Sequence, residues 1–374
     1  MAGFEDCALN IGTVLPAVIN HYQTTKEQSW KNTALKYANA LIGLTEISKT
    51  PGFLPRGVLS DGITHYRNSS VDQYTMATRA FQCLWDWDQI SSHQRRTIKK
   101  FVLSLVDLLE RHNWNIPTED GQIAWVCESS EFWPGRSLRL LQMVLTAYHI
   151  SGEKNILELY RKLRDERHSR RCRGIVNLPG YCNMPYFILQ EQFAISQLSK
   201  LEPDNDYKLL WTLRLHDFAE FAICRLKELY PSPELLQADI KRLSALQNGS
   251  NGWQTSYTEQ DYADRRNQTK VEMGAQLDST SQENADLRTA GFCVRATAQN
   301  PRINHEMKCV REPLELLHSF LLADNKELID TFGKELWPIA KDYYSIIDND
   351  VNPQELCAAH SLANLVAVKM QMNS

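Results

Sequence analysis

The stretch SLRLLQMVLTAYHISGEKNILELYRKLRDERH, Ser137 to His168, decides the fold. Its first half, Ser137 to Ile150, is apolar on nearly every side, with Leu138, Leu140, Leu141, Met143, Val144 and Leu145. A helix that reads apolar all round is a buried one. Ser151-Gly152 makes a short turn, and Asn155 to His168 continues as a more charged helix. The pair reads as a helical hairpin, one member inside and one outside with a single apolar stripe.

The same unit recurs on both sides. Upstream, the long loop Gly52 to Thr75 runs into an apolar segment, Asp72 to Trp87. Ser69 or Ser70 is placed to cap it. Ser91-Ser92 then caps a helix from His93 to His112 whose Phe101, Leu105, Leu108 and Leu109 face inward. A second long loop, Asn113 to Arg136, precedes the quoted hairpin. Downstream, the loop Gly174 to Tyr186 enters the apolar helix Phe187 to Leu201, which turns at Pro203-Asp204 into the charged helix Tyr207 to Tyr230.

Further helical patterns cover Gln28 to Ile47, where Ala34, Tyr37, Ala38, Leu41 and Leu44 keep helical spacing, then Pro233 to Leu246, Ala285 to Thr297, Pro313 to Leu322, Lys326 to Ile346 and Pro353 to Met370. Convincing period-two strands are nearly absent. The class is therefore all-α. Alternating buried and striped helices predict a double-layered (α/α)6 toroid with its long loops on one face, at the N-terminal ends of the inner helices. A solenoid of stacked pairs would instead show short loops and a fixed period. The expectation is one domain over residues 1–374, with 248–284, rich in Gly, Asn, Gln, Ser and Thr, as a loop or lid insertion.

Composition narrows the function. At 374 residues with 43% hydrophobic content, the chain can bury a large core. The net charge of -4 is scattered, and the one basic run, Arg161 to Arg173, is broken by Asp165 and Glu166 and carries no aromatics. A nucleic-acid partner is not expected. No apolar run approaches the roughly 18 residues of a membrane helix, so no membrane partner is expected either. Met1 to Asp6 lacks the positive flank of a secretory signal. The nine cysteines are odd in number and form no Cys-x-x-Cys pair, which points to a reducing, cytoplasmic setting. No cofactor is expected. Phosphate-loop, dinucleotide, His-Glu-x-x-His and Gly-x-Ser-x-Gly motifs are absent, and the histidines are too dispersed to nominate a metal.

The loop from Gly52 to Thr75 is too polar for core and too rich in specific side chains for a passive linker. It carries Arg56, Asp61, His65, Tyr66, Arg67, Asp72 and Tyr74, and long loops with such chemistry are more often functional than idle. An arginine fork there could grip a carboxylate, while Asp61 before Gly62 equally suits a simple turn. Asp72, at a helix start, has the helix dipole favouring its charged form. It suits a base or electrostatic stabiliser, or only a cap. Glu128 and Glu131 lie between Trp125 and Trp133, whose apolar surroundings would raise a carboxyl pKa as an acid catalyst requires. Glu191 sits in an apolar inner helix, where a carboxylate needs a partner or a cavity. Trp125, Trp133, Tyr186 and Trp253 fall in loops of the same face and could serve as platforms for sugar rings.

The layout resembles the six-hairpin (α/α)6-barrel glycosidases. The segment ending Ser69-Ser70-Val71-Asp72-Gln73-Tyr74 is similar to the start of the inner helix that carries a catalytic-site aspartate in the unsaturated glucuronyl and rhamnogalacturonyl hydrolases. The resemblance implies a glycoside hydrolase acting on an oligosaccharide substrate that contains a uronic or other acidic sugar. Asp72 would be one of two carboxylates. Where those families place a second aspartate, this chain offers Glu128 and Glu131, with Arg136 nearest the helix. Its partner therefore remains open among Glu128, Glu131 and Glu191. Two alternatives stand beside this one: a polysaccharide lyase on the same ring, with Tyr66, Tyr186 or His65 as base, and a non-catalytic helical scaffold that binds glycan or protein.

Overall fold

The computed structural model describes residues 7–58, 62–122, 134–166, 185–229 and 319–332. Within them the regular elements are helices: α1 (Cys7–Thr25), α2 (Gln28–Ile47), α3 (Val71–Asp86), α4 (Ser92–Arg111), α5 (Pro134–Ser151), α6 (Lys154–Asp165), α7 (Pro185–Leu201) and α8 (Asn205–Leu229). Residues 319–322 and 326–332 are also helical. The expected insertion at 248–284 and the expected helices Pro233 to Leu246, Ala285 to Thr297 and Pro353 to Met370 lie outside the described residues, and of Pro313 to Leu322 and Lys326 to Ile346 only these helical parts are described.

The hairpin rhythm holds. Helices α1 and α2, α3 and α4, α5 and α6, and α7 and α8 pack as consecutive pairs, and the odd-numbered members pack on one another. Turns inside the pairs are short, and connections between pairs are long. Helices α3, α5 and α7 each follow a long connection in the sequence, so their N-terminal ends mark the face where those connections arrive. Burial divides the layers as the hydrophobic pattern demands. Helix α3 is buried on most sides, from Val71 through Leu84. Helix α2 buries only the stripe Ala34, Ala38, Leu41, Ile42 and Leu44. Helix α4 opens with a full capping box, in which Ser91 accepts from the Gln94 amide and the Gln94 side chain bonds back to Ser91. Such a cap contributes about 1 kcal/mol. Ser70 occupies the N-cap position of α3 without a side-chain cap bond.

Helix α3 is the hub. It touches α1, α4, α5 and α7, and α3, α5 and α7 touch one another. The side of α3 facing α1 is held by a close approach at Gly12. A Cβ there would overlap the Met76 backbone and come within 2.8 Å of the Ala77 nitrogen. Helix α1 itself carries no clear helical signature in the sequence, because Pro16 interrupts it. Proline has no N–H, so the Gly12 carbonyl loses its helical donor, a defect of about 3 kcal/mol in a helix interior. Two things offset it. Leu15, Ala17, Val18 and Ile19 are almost wholly buried, each large one contributing about 1.5–3 kcal/mol. Arg79 of α3 also reaches across with Nη1, 3.5 Å from both the Gly12 and Thr13 carbonyls.

The α6–α7–α8 corner is tied by Glu202, which is 4% exposed. It accepts from Arg164 Nη1 at 3.0 Å, Trp211 Nε1 at 3.1 Å, the Asp204 amide at 3.2 Å and the Tyr160 hydroxyl. Arg164 also lies over the Tyr207 ring at 3.4 Å. A buried carboxylate with this many donors is fully satisfied, as burial of its charge requires. Burial, then the neighbouring Glu202 charge, pushes the Tyr160 hydroxyl up, so it stays a donor.

Gly12→Ala should lower the free energy of unfolding by about 2–3 kcal/mol, the scale of overpacking against rigid backbone. Urea denaturation measures this, and a loss below about 0.5 kcal/mol would remove the close α1–α3 approach from the account.

Candidate functional site

The face where the long connections enter holds two described clusters. The outer one stitches the loop ahead of α3 to the loop after α4. His65 presents Nε2 to Glu119 at 3.0 and 3.1 Å, and its Nδ1 faces the Ile63 carbonyl at 3.1 Å. Glu119 also accepts from Ser48 Oγ at 2.6 Å, and its carbonyl accepts from Thr50 Oγ1 at 3.0 Å. Its amide donates to the Arg67 carbonyl at 2.9 Å. Val58 and His65 form an isolated antiparallel bridge that folds the loop back on itself.

The loop starts rigidly too. Tyr74 is fully buried, and its hydroxyl accepts from the Leu54 amide at 2.8 Å and donates to the Gly52 carbonyl at 3.3 Å. Gly52 has φ +80°, and a Cβ on it would overlap the Ser104 backbone of α4. Glycine is therefore required there for two reasons, its backbone conformation and its space. Arg56 and Tyr66 are buried, while the Arg67 side chain is 69% exposed and lies 3.9 Å from Glu119.

The inner cluster lies on the helices. Asp72, in the first turn of α3, meets Arg139 of α5 at 2.5 Å. Arg139 is 3% exposed, and this pair compensates its buried charge. Three residues further along α5, Gln142 donates through Nε2 to Gln197 Oε1 of α7 at 2.6 Å and to Thr78 Oγ1 of α3 at 2.8 Å. Gln197 in turn donates to Thr146 Oγ1 at 3.0 Å. Glu191 of α7 is completely buried, between the buried Gln190 and Gln192.

These bonds set the relative depth of the helices. Gln142 joins Thr78 to Gln197, Asp72 lies six residues before Thr78, and Glu191 lies six before Gln197. At 1.5 Å per residue both carboxylates sit about 9 Å nearer the loop face than the bridge. Asp72 and Glu191 are thus at a common level on two helices in contact. Both side-chain amide atoms of Gln190 are buried without a hydrogen-bond partner among the described residues. Unpaired buried amides are costly, and this one belongs to the same level.

The other sequence candidates fall differently. Glu128, Glu131, Asp61, Trp125, Trp133 and Trp253 lie outside the described residues, and of Arg136 and Tyr186 only the backbone, in α5 and α7, is described. Arg139 and Glu119 were not nominated from the sequence. Arg139 had a signal: an arginine inside a helix apolar on all sides requires a buried anion. Glu119 had none, since one acidic residue in a polar loop says nothing of its partners.

Among the described residues no group of three His, Cys, Asp or Glu could hold a metal ion. No described helix is long and apolar enough to cross a membrane. In comparison with known proteins, the chain matches no family model, no curated protein and no solved structure.

Burial pushes the Glu119 carboxyl up, but the hydrogen bonds from Ser48 and His65 and the charges of His65 and Arg67 outweigh it, and the net shift is downward. A carboxylate with a depressed folded pKa stabilises above its unfolded value, and that stabilisation is lost as pH falls through the folded value. Lowering the pH through and below the carboxylate range should therefore loosen the stitched loops before the helices. Hydrogen exchange of amides 62–70 and 115–121 follows this, and Glu119→Gln should flatten the acid-side dependence at a cost of about 1–2 kcal/mol at neutral pH. Parallel acid profiles for the two proteins would count against the clasp.

Proposed function

We propose that the chain is a carbohydrate-active hydrolase whose site lies on the long-connection face, with Asp72 as one carboxylate of the pair and Glu191 the partner best supported. The observation that carries this reading is the common level of Asp72 and Glu191 on two touching inner helices, below loops that bear Arg67 and His65. Two carboxylates across one position are the minimum for glycoside hydrolysis. Their environments differ, as the division into acid and base requires: Asp72 is paired with Arg139 and partly exposed, while Glu191 is wholly buried. In this reading Asp72, paired with Arg139, acts as base or stabiliser. Glu191 serves as the proton donor. The exposed Arg67 fork suits the carboxylate of a uronic or other acidic sugar.

The wider ring belongs to the same proposal. Four described hairpins, followed by residues 319–322 beside α7, are supporting pieces of an (α/α)6 toroid: Ser319 accepts from Gln192 at 2.6 Å, and Phe320 is buried in the core.

A second reading, a non-catalytic helical scaffold that binds a glycan or a protein, is favoured by two observations. The mutual contact of α3, α5 and α7 fills space that an evenly spaced ring leaves at its centre. The Asp72–Arg139 pair also has a sufficient structural purpose, since Arg139 is buried.

The experiment is an activity screen on uronate-containing oligosaccharides, following loss of ultraviolet absorbance (unsaturated-uronyl hydrolase), its gain (lyase) or new reducing ends (hydrolase). Asp72→Asn and Glu191→Gln, each with a native circular-dichroism spectrum, should lower turnover about 100-fold or more, the usual size of an acid–base contribution. Substrate binding with no turnover in the parent protein, unchanged in both variants, would select the scaffold.

A further inference from the structure

The C-terminal halves of α3 and α7, with α1 and Leu322, bound a cavity of about 210 Å³. It is below the roughly 300–1,000 Å³ of sites for drug-sized ligands. It equals about seven waters at their liquid volume of ~30 Å³, room for a molecule of monosaccharide size. None of the residues discussed for the loop face lines it apart from Gln197 of the helix-bridging network.

Arg79 dominates its chemistry. The guanidinium plane lies over the Phe193 ring at 3.8 Å, which fixes its orientation and covers one face. Of its N–H groups, Nη1 is used by the Gly12 and Thr13 carbonyls, both at the long distance of 3.5 Å. Guanidinium carries five N–H donors in a rigid fork, and among the described residues no carboxylate pairs with this one. Burial lowers its pKa to about 10, so it remains charged at neutral pH.

The rim adds a second cation, Lys200 of α7, with no described ion-pair partner. It also holds one carboxylate, Asp86, which is engaged by His149 Nε2 at 2.7 Å and by the Gln82 side-chain amide. Burial pushes the Cys83 thiol up, so it stays neutral. Among the described residues, the fixed charges that line the cavity are thus two positive and one negative. Asn20, Gln23 and Ser196 line the remaining polar walls, and Pro16 and Ile19 supply an apolar one.

We propose that this cavity binds a small hydroxylated monocarboxylate of the sugar-acid class, its carboxylate on the Arg79 fork and its hydroxyls on the amide and hydroxyl side chains around it. A planar two-oxygen anion matches a guanidinium edge in two-point fashion. A single negative charge is selected over a dianion because Asp86 stands at the rim and the helix C-termini at this end carry partial negative charge. The same negative charge keeps the affinity modest. The site is independent of the hydrolase reading, since neither Asp72 nor Glu191 lines it and it uses neither carboxylate.

Isothermal titration of the full chain with D-gluconate, with inorganic phosphate and with sodium chloride at matched ionic strength tests this. Gluconate should bind one-to-one and slow alkylation of Cys83, read by peptide mass spectrometry. Arg79→Gln should weaken binding by about tenfold or more, and Lys200→Gln by a few-fold. If Arg79→Gln fails to fold, Ser196→Phe fills the cavity while leaving Arg79 in place, and must abolish gluconate binding. The proposal is overturned if gluconate does not bind. Unchanged binding in folded Arg79→Gln or Ser196→Phe, or phosphate binding tighter than gluconate, also overturns it.

Discussion

The amide of Gln142 is the point on which the described helices depend. Its two N–H groups satisfy Gln197 of α7 and Thr78 of α3, and Thr78 passes the chain on to the Tyr74 carbonyl at 2.7 Å. Apolar packing alone would hold α3, α5 and α7 together, but it tolerates sliding by a fraction of a turn. A buried hydrogen-bond chain does not, because each group left unpaired costs about 1–3 kcal/mol. Register along three helices is therefore fixed at one level. The ion pair of Asp72 with Arg139 and the depth of Glu191 follow from it.

The buried charges show three different solutions to one problem. Glu202 is surrounded by donors until nothing of its charge is left uncompensated. Arg139 meets the Asp72 carboxylate on the neighbouring helix, near enough to the surface that Asp72 stays partly open to water. Arg79 finds neither. It has an aromatic face and two long bonds to carbonyls, one of them orphaned by Pro16. Breaking the first two pairs would leave a buried charge alone, which costs about 3–5 kcal/mol, so both are needed for the fold whatever else Asp72 does. Arg79 already bears part of that penalty in the native state, since burial lowers its pKa.

The hairpin order was legible because burial writes itself into periodicity. Ser137 to Ile150 is apolar all round and lies inside, and the striped Gln28 to Ile47 lies outside with the bounds its pattern gave. Helix α1 was not legible. Its proline breaks the local pattern, and the contacts that rescue it, Gly12 on Met76 and Arg79 on the Gly12 carbonyl, come from residues more than sixty positions away. The site divides the same way. Asp72 at its helix start could be read from capping chemistry, and Glu191 from the rarity of a carboxylate in an apolar helix. That the two share a level, and that Arg139 stands against one of them, depends on helix register, which no local pattern encodes.

The helix macrodipole explains part of this charge distribution and isolates the rest. Parallel inner helices put positive ends at the loop face and negative ends at the other, so an acid in the first turn of α3 and a base in the last turn of α7 are where the dipole favours them. Asp72 and Lys200 therefore need no ligand to account for their positions. Arg79 is different. It lies about two turns from the C-terminal end of α3, beyond the reach of a dipole that fades within the last turn, and it is half-buried beside a cavity. A residue held there by Phe193 and by the Pro16 defect in α1 has its orientation fixed in advance. Pre-orientation of a fork with unused donors lowers the entropy lost when an anion binds, and a structural role alone would not require the cavity next to it.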